Sequence, residues 1–594
     1  MQRQIDKIAQ LPDEQARDRS SAARRLLGYL TPEWRSLLGV LLMLCFTAVG
    51  QGGAPALIGQ AVDEFIMVGD RTGLQQTILL LLGVYIIGLI GFVGQAWLMG
   101  QLSQRVLKRL RVEIFEHLQR LSLTYFDRQE SGNLMSRLVN DSEVIGNLLS
   151  QGLIRSLGAI FALVGIIFAM FWLNWQLAIA TLLIIPVMFV TTQEFSQRAR
   201  AAFRVTRETI GDVSSNLQED ISSVREAQAF NRTAQNIERF EQANAANRDA
   251  NVRASGVTSA FGPAIDVLST VANAIVAGVG GWLAFNNIIT VGVVVAFLTY
   301  VDRFFRPVQQ ISTLYTQMQA AFAAGERIFE LLDTAPELTD RPSAEALPPI
   351  EGHVRFENVS FGYDPKQLIL KHITFEARPG ETIAIVGPTG AGKTTLVNLI
   401  PRFYDVTNGR ILIDGHNVRD VKQRSLRLQM GIVPQDTFLF AGTIADNIRY
   451  SNPQATYEEV MAAAKAARAH EFITAMSDGY ETKLGERGGN LSQGQRQLLG
   501  IARALLANPN LLILDEATAS VDTRTERLIQ SALETLLARR TAFVIAHRLS
   551  TIRHADQILV LDEGEIVESG THESLLVQGG RYAELYRKQI RPVA

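Results

Sequence analysis

Thr382-Ile-Ala-Ile-Val-Gly-Pro-Thr-Gly-Ala-Gly-Lys-Thr-Thr-Leu-Val-Asn-Leu-Ile400 is the stretch on which the second half of this 594-residue chain turns. Thr382–Val386 reads as a buried strand and Leu396–Ile400 as the start of a helix. Between them, Gly387 to Thr394 fits G-x-x-x-x-G-K-S/T in the strand–loop–helix context that the pattern requires. Glycines let backbone wrap a phosphate closely, and free N–H groups at a helix start attract its charge. Lys393 is placed to reach β- and γ-phosphates, and the Thr394 hydroxyl to bind Mg²⁺.

Downstream, Leu511-Leu-Ile-Leu-Asp515-Glu516 is an apolar strand ending in two carboxylates. Acidic residues often close strands, so alone this is weak. After a phosphate loop it reads as a metal-binding Asp515 and a Glu516 that polarises an attacking water. Asn490-Leu-Ser492-Gln493-Gly494-Gln495 precedes a helical pattern and offers a second anion site. One nucleotide does not need two such sites, so the second is expected to serve a nucleotide on a neighbouring subunit. The strand ending at Ala546 leads to His547, which can hydrogen-bond a γ-phosphate. Short β-rich runs (Val354–Val359, Thr382–Val386, Leu511–Leu514, Thr541–Ala546, Gln557–Leu561) alternate with helical stretches, which is an α/β pattern.

Upstream the solvent changes. Residues 1–30 are polar and charged, without a secretory signal's apolar core, and read as a cytosolic tail running into an interfacial helix at Trp34. Six apolar runs of about 20 residues each follow. They lie at Leu37–Ile58, Ile78–Met99, Leu153–Leu173, Leu177–Phe195, Phe261–Phe285 and Val291–Phe305; the last carries Asp302 and Arg303 near its end. Six in succession exclude a soluble protein. The segments Gln101–Ser150 and Ser196–Ser255 are rich in arginine, whereas the alternate loops hold almost none, so both termini are expected in the cytosol. Neither basic segment contains proline, and Val106, Leu110, Ile114, Leu118 and Leu121 keep helical spacing. These segments are expected to be helical hairpins reaching ~40 Å beyond the bilayer at ~1.5 Å per residue. Their turns are expected near Ser131–Gly132 and near Asp212–Ser215. Asp266, inside the fifth run, is expected to pair with Arg303 or Arg306 or to meet water. The proline-rich stretch Asp333–Ile350 reads as a linker.

The averages hide this division. Mean hydropathy is +0.11; 47% of residues are hydrophobic and 20% charged, and the net charge is −2. No basic excess points to nucleic acid. A single cysteine, Cys45, excludes an internal disulfide and a cysteine-cluster metal site.

Together these motifs resemble the ATP-binding cassette superfamily, and specifically its exporter half-transporters, over nearly the whole chain. The resemblance implies a multidomain membrane protein. An all-α six-helix transmembrane domain with long cytosolic extensions would be fused to an α/β P-loop NTPase. The divisions are a tail at 1–30, a transmembrane domain at 31–335, a linker at 336–350 and a cassette at 351–594. It implies ATP and Mg²⁺ as cofactors, with nucleotide contacts from Gly387, Pro388, Thr389, Gly390, Ala391, Gly392, Lys393, Thr394 and Thr395. Tyr363 of Phe361-Gly-Tyr363 matches the aromatic loop that stacks on adenine. Gln435 matches a Mg²⁺ contact linked to the membrane domain. Ser492, Gln493, Gly494 and Gln495 match the signature, Asp515 the metal-binding aspartate, Glu516 the catalytic glutamate and His547 the switch histidine. Gly485–Gly488 and Tyr125–Asp127 with Gly132 and Ser136–Leu138 are similar to segments that couple the two domains.

Two departures stand out. Gln493 replaces a glycine of the usual L-S-G-G-Q, and Ala519-Ser-Val-Asp522 replaces S-A-L-D. A retained Glu516 beside an altered signature points to one subunit of an asymmetric heterodimer, with a homodimer that tolerates glutamine as the alternative. The implied function is ATP-driven export of drugs, lipids or hydrophobic peptides from the plasma (inner) membrane of a bacterium. Alternatively, ATP would gate a regulatory or channel-like protein. The expected partners are a second half-transporter, the lipid bilayer and a small amphipathic substrate, with no nucleic acid.

Overall fold

The computed structural model describes residues 19–364, 366–485, 488–515, 522–546 and 552–590. Glu516, His547, most of the tail, Glu486–Arg487 and Ala519–Val521 lie outside the described residues. The chain forms two compact units, one of Met1–Gln119 with Gly132–Thr334, the other of Arg120–Ser131 with Ala335–Ala594.

The first unit is helical. Among the described residues, five helical segments are long and apolar enough to cross a membrane: Ser21–Ile66, Arg71–Arg120, Ser131–Leu173, Trp175–Ser222 and Thr233–Phe285. The sixth run lies in a helix, Val291–Leu332, but Asp302, Arg303 and Arg306 interrupt its apolar stretch. The expected fourth span is broken between Leu182 and Ile185. Pro186 causes this: it donates no backbone bond and its ring crowds the carbonyl four residues back, at Leu182. Asn174 makes the preceding turn tight by accepting a bond from Leu177 N at 2.8 Å. Phe297, Tyr300, Val301, Phe304 and Phe305 of the last helix form the core of this unit, against Ile166, Met170, Leu177, Ile265 and Val276.

Both expected turns need adjustment. The first reversal lies in the second unit at Leu121–Glu130 and holds a short helix, Leu123–Arg128; Ser131 already begins the returning helix. Asp212–Ser215 is not a turn at all but part of the helix Ile185–Ser222. One glycine, Gly211, costs only about 1 kcal/mol in a helix, too little to end one so long. The chain reverses instead at Ser223–Arg232, where Asn231 takes a left-handed φ of 52°. Asp266 does not pair with Arg303, whose guanidinium turns to Gln51 and Tyr85; the Arg306 side chain lies outside the described residues.

In the second unit, the strands are β1 Val354–Phe361, β2 Leu370–Ala377, β3 Thr382–Val386, β4 Asn408–Ile413, β5 His416–Asn417, β6 Met430–Val433, β7 Gly442–Thr443, β8 Lys483–Leu484, β9 Leu511–Asp515, β10 Thr541–Ile545, β11 Gln557–Asp562 and β12 Glu565–Gly570. A six-stranded sheet runs β12-β11-β3-β10-β9-β6 and a four-stranded antiparallel sheet runs β2-β1-β4-β5. In the larger sheet, β11, β3, β10, β9 and β6 are mutually parallel. Their continuous apolar runs are those of strands covered on both faces. The proline-rich stretch before β1 is held to this unit: Leu347 N donates to Ser425 Oγ at 2.8 Å and Ile350 N to Gln429 Oε1 at 2.8 Å.

Candidate nucleotide site

Register assembles the site. Ile385 of β3 stands beside Ile545 of β10, and Ile545 beside Asp515 of β9. Val433 of β6 stands beside Leu514. Because these strands are parallel, the loops that follow all four open on one edge. That edge therefore collects the phosphate loop after β3, Gln435 after β6, Asp515 at the end of β9 and Ala546 after β10. Open α/β sheets bind ligands at such a carboxyl edge. Glu516 and His547, next in sequence after Asp515 and Ala546, lie outside the described residues.

The phosphate loop keeps its shape through glycine. Gly392 precedes the helix Lys393–Leu399 with φ 100°, a left-handed conformation that side chains resist. A Cβ at Gly387 would stand 2.1 Å from the Leu561 carbonyl of β11, so backbone there passes against backbone.

Lys393 is buried, and its Nζ donates to the carbonyls of Gly387 and Pro388, each at 2.9 Å. Burial pulls its pKa below the ordinary lysine value, while the Asp515 carboxylate acts against that shift. A buried ammonium resting on neutral carbonyls is poorly compensated. The site therefore fits a triphosphate, whose charge supplies what the two carbonyls do not. Thr394, Gln435 and Asp515 contribute oxygen donors, two of them neutral. That set suits Mg²⁺, which keeps several waters and takes most of its remaining ligands from substrate phosphates.

Tyr363 is half-buried. Its ring meets Phe361 at 5.1 Å and Tyr404 at 5.0 Å, both edge to face, and its hydroxyl lies 3.4 Å from Thr395 Oγ1. Tyr404 in turn donates to Asp127 Oδ2 at 2.6 Å. Burial, then that carboxylate, pushes the Tyr404 phenol above its ordinary range. Arg128 Nη2 donates to the Tyr363 carbonyl at 3.3 Å. The aromatic loop is thereby joined to the short helix Leu123–Arg128. Sequence reasoning missed Tyr404, because its partner is 277 positions away and Phe403-Tyr404-Asp405 follows no local pattern.

Ser492 caps the helix Gln493–Ala507. Its Oγ accepts from Gln495 N at 3.2 Å while Gln495 Oε1 accepts from Ser492 N at 2.9 Å. This reciprocal pair fixes the approach of the helix. Gln493 is half-exposed and Gly494 buried. Asp522 caps the helix Thr523–Leu537, accepting from Arg524 N and Thr525 N; the Thr525 amide bond leads the effects that hold its carboxyl below the usual range.

A family model described as ABC transporter transmembrane region matches residues 37–308, and one described as ABC transporter matches residues 370–519. An ATP-dependent lipid A-core flippase of Syntrophus aciditrophicus is 38% identical, covering 92% of each chain. A fatty acid ABC transporter ATP-binding/permease protein of Mycobacterium tuberculosis is 37% identical over 97% of this chain and 98% of its own. A solved bacterial Atm1-family ABC exporter with ATP bound superposes with a TM-score of 0.76 at 33% identity, over 94% of this chain and 99% of that one.

Proposed function

The chain belongs to the ABC transporter family, with membrane region and cassette in one polypeptide, and on that premise we propose that it is an ATP-driven exporter of apolar or amphipathic compounds. Such an architecture works as a dimer in a lipid bilayer. The observation that carries the reading is Lys393, a buried cation on neutral carbonyls at the carboxyl edge of the sheet.

Tyr363 offers its ring to adenine. Gly387, Pro388, Thr389, Gly390, Ala391, Gly392 and Thr395 form the wall around the phosphates, and Lys393 exchanges its carbonyl partners for phosphate oxygens. Thr394, Gln435 and Asp515 would hold Mg²⁺, which when bound neutralises phosphate charge. Glu516 orients and deprotonates the attacking water, and His547 donates to the γ-phosphate. Ser492, Gln493, Gly494, Gln495 and Asp522 face the nucleotide of the second subunit. The Ser492 hydroxyl accepts one amide bond and keeps its own proton to donate. ATP between two cassettes favours their closed pair, and that differential affinity drives the cavity outward.

Gln493 supports an asymmetric pair, since a side chain stands where the family's glycine leaves backbone open to a phosphate. The arginine-rich hairpins support a cytosolic cassette and cytosolic termini, in a bacterial inner membrane. The divisions 1–30, 31–335, 336–350 and 351–594 go with this reading.

Glu516→Gln tests it. The variant is expected to bind ATP while turnover falls at least about a hundredfold; hydrolysis within about twofold of wild type would remove Glu516 from the chemistry. Purified alone, the chain is expected to hydrolyse ATP poorly, and a stable dimer with full ATPase activity argues for the homodimer.

A further inference from the structure

Pro55 lies inside the helix Trp34–Gln60. A helical N–H bonds the carbonyl four residues back, and proline has none, so the Gln51 carbonyl loses its partner. Arg303 fills the gap: its Nη1 donates to Gln51 O at 2.8 Å and its Nη2 to Tyr85 Oη at 3.0 Å. Arg303 stands 12 residues beyond Val291, where its apolar run and its helix begin, and Tyr85 stands 7 beyond Ile78, where its own apolar run begins. At ~1.5 Å per residue they lie about 18 and about 10 Å into a core of ~30 Å, well inside its faces.

Satisfying an orphaned carbonyl does not require a charge. The next carbonyl, that of Gly52, is served by the neutral Tyr300 hydroxyl at 2.6 Å. The positive charge of Arg303 is therefore surplus to the structural task. Both its hydrogen-bond partners are neutral and use two of its five N–H donors. The neighbouring carboxylate does not pair with it: Asp302 turns to another helix, where its Oδ1 accepts from Asn273 Nδ2 at 3.0 Å. Among the described residues no ion pair involves Arg303. Ionisable groups at this depth face a bundle interior or a watered cavity and mark the path of what is carried. A guanidinium fixed by two anchors presents its remaining donors to planar or tetrahedral oxyanions.

We infer that Arg303, pinned by the carbonyl that Pro55 orphans, recognises the anionic headgroup, carboxylate or phosphate, of an amphipathic substrate inside the membrane core. The inference rests on the reading of this chain as an exporter of amphiphiles.

The test uses the full-length protein in its dimeric assembly, in vesicles of zwitterionic lipid. ATPase stimulation is titrated with dodecanoate, dodecyl phosphate, dodecyltrimethylammonium and dodecyl maltoside. The quantity read is the ratio of half-stimulating concentrations, which is independent of basal rate. Wild type is expected to respond to one or both anions at concentrations about tenfold or more below the ammonium compound. Arg303→Gln, a neutral side chain that keeps N–H donors, is expected to bring that ratio to within about twofold, and Arg303→Lys to retain it. A ratio unchanged in Arg303→Gln, or a wild type that favours the cation or the neutral sugar, overturns the inference. Should Arg303→Gln fail to fold, the wild-type order and the lysine variant decide. If no amphiphile stimulates wild type, the exporter reading itself fails, which is a distinct result.

Discussion

Tyr404→Phe removes one oxygen from a buried ring and leaves the ring's contacts with Phe361 and Tyr363 in place. What is lost is the 2.6 Å bond to Asp127 Oδ2. A hydrogen bond to a charged group contributes about 1.5–3 kcal/mol. Asp127 is exposed and regains water when the bond goes, so the net loss is smaller, about 1 kcal/mol. If that bond holds the helix Leu123–Arg128 on the cassette, local opening of the helix becomes about fivefold more frequent. Hydrogen–deuterium exchange read by mass spectrometry measures this opening directly. Amides of Leu123–Arg128 are expected to lose about fivefold in protection, while those of Tyr457–Ala466, anchored by their own capping box, stay unchanged. Asp127→Ala is expected to give the same loss, and the double variant no more than either alone. Wild-type exchange of Leu123–Arg128 in Tyr404→Phe would refute the argument, because the tyrosine would then not hold the helix. The functional consequence expected is that substrate stimulation of ATPase weakens in Tyr404→Phe.

Lys393→Ala is expected to weaken ATP binding about tenfold or more, read by nucleotide titration. Burial lowers the Lys393 pKa and bound phosphate raises it again, so ATP affinity should be flat below the depressed free-state value and fall as pH rises through it, where binding takes up a proton. In Lys393→Arg, whose charge does not titrate there, that alkaline decline should vanish. Gly59→Ala would place a Cβ 2.6 Å from the Gly292 carbonyl, backbone that cannot yield cheaply, and is expected to destabilise the membrane unit by about 1–3 kcal/mol in thermal unfolding. Gly53→Ala, with no atom within 4 Å of its Cβ, is the control and should be neutral or slightly stabilising.

The nucleotide loop, the strand ending in Asp515 and most spans were legible because each is written in contiguous residues. The sheet register only brought together what those residues already promised. The second hairpin's turn is not legible because no strong breaker marks it: the long helix stops at Ser222, and the left-handed Asn231 follows a separate short helix, Val224–Ala229. The fourth span's break was visible in Pro186, but a run of apolar residues outweighed it. Of the three expected fates of Asp266 (a pair with Arg303, a pair with Arg306, or water), the first is excluded because helix packing turns the Arg303 guanidinium toward Gln51 and Tyr85. Ser492 and Gln495, expected from the sequence as nucleotide contacts, also cap their own helix.

Features local in the backbone were therefore settled by the sequence: which loop is glycine-rich between a strand and a helix, which runs suit lipid, and, through Pro55, which carbonyl is left without a donor. Which side chain answers that carbonyl was not. Arg303 lies 252 positions from Gln51, and Tyr404 lies 277 from Asp127. Such pairs meet only after helices and sheets have packed, because packing sets the direction of a side chain that the chain's own spacing leaves open. The partners of Arg303 and the link from Tyr363 to Leu123–Arg128 are thus products of the tertiary structure.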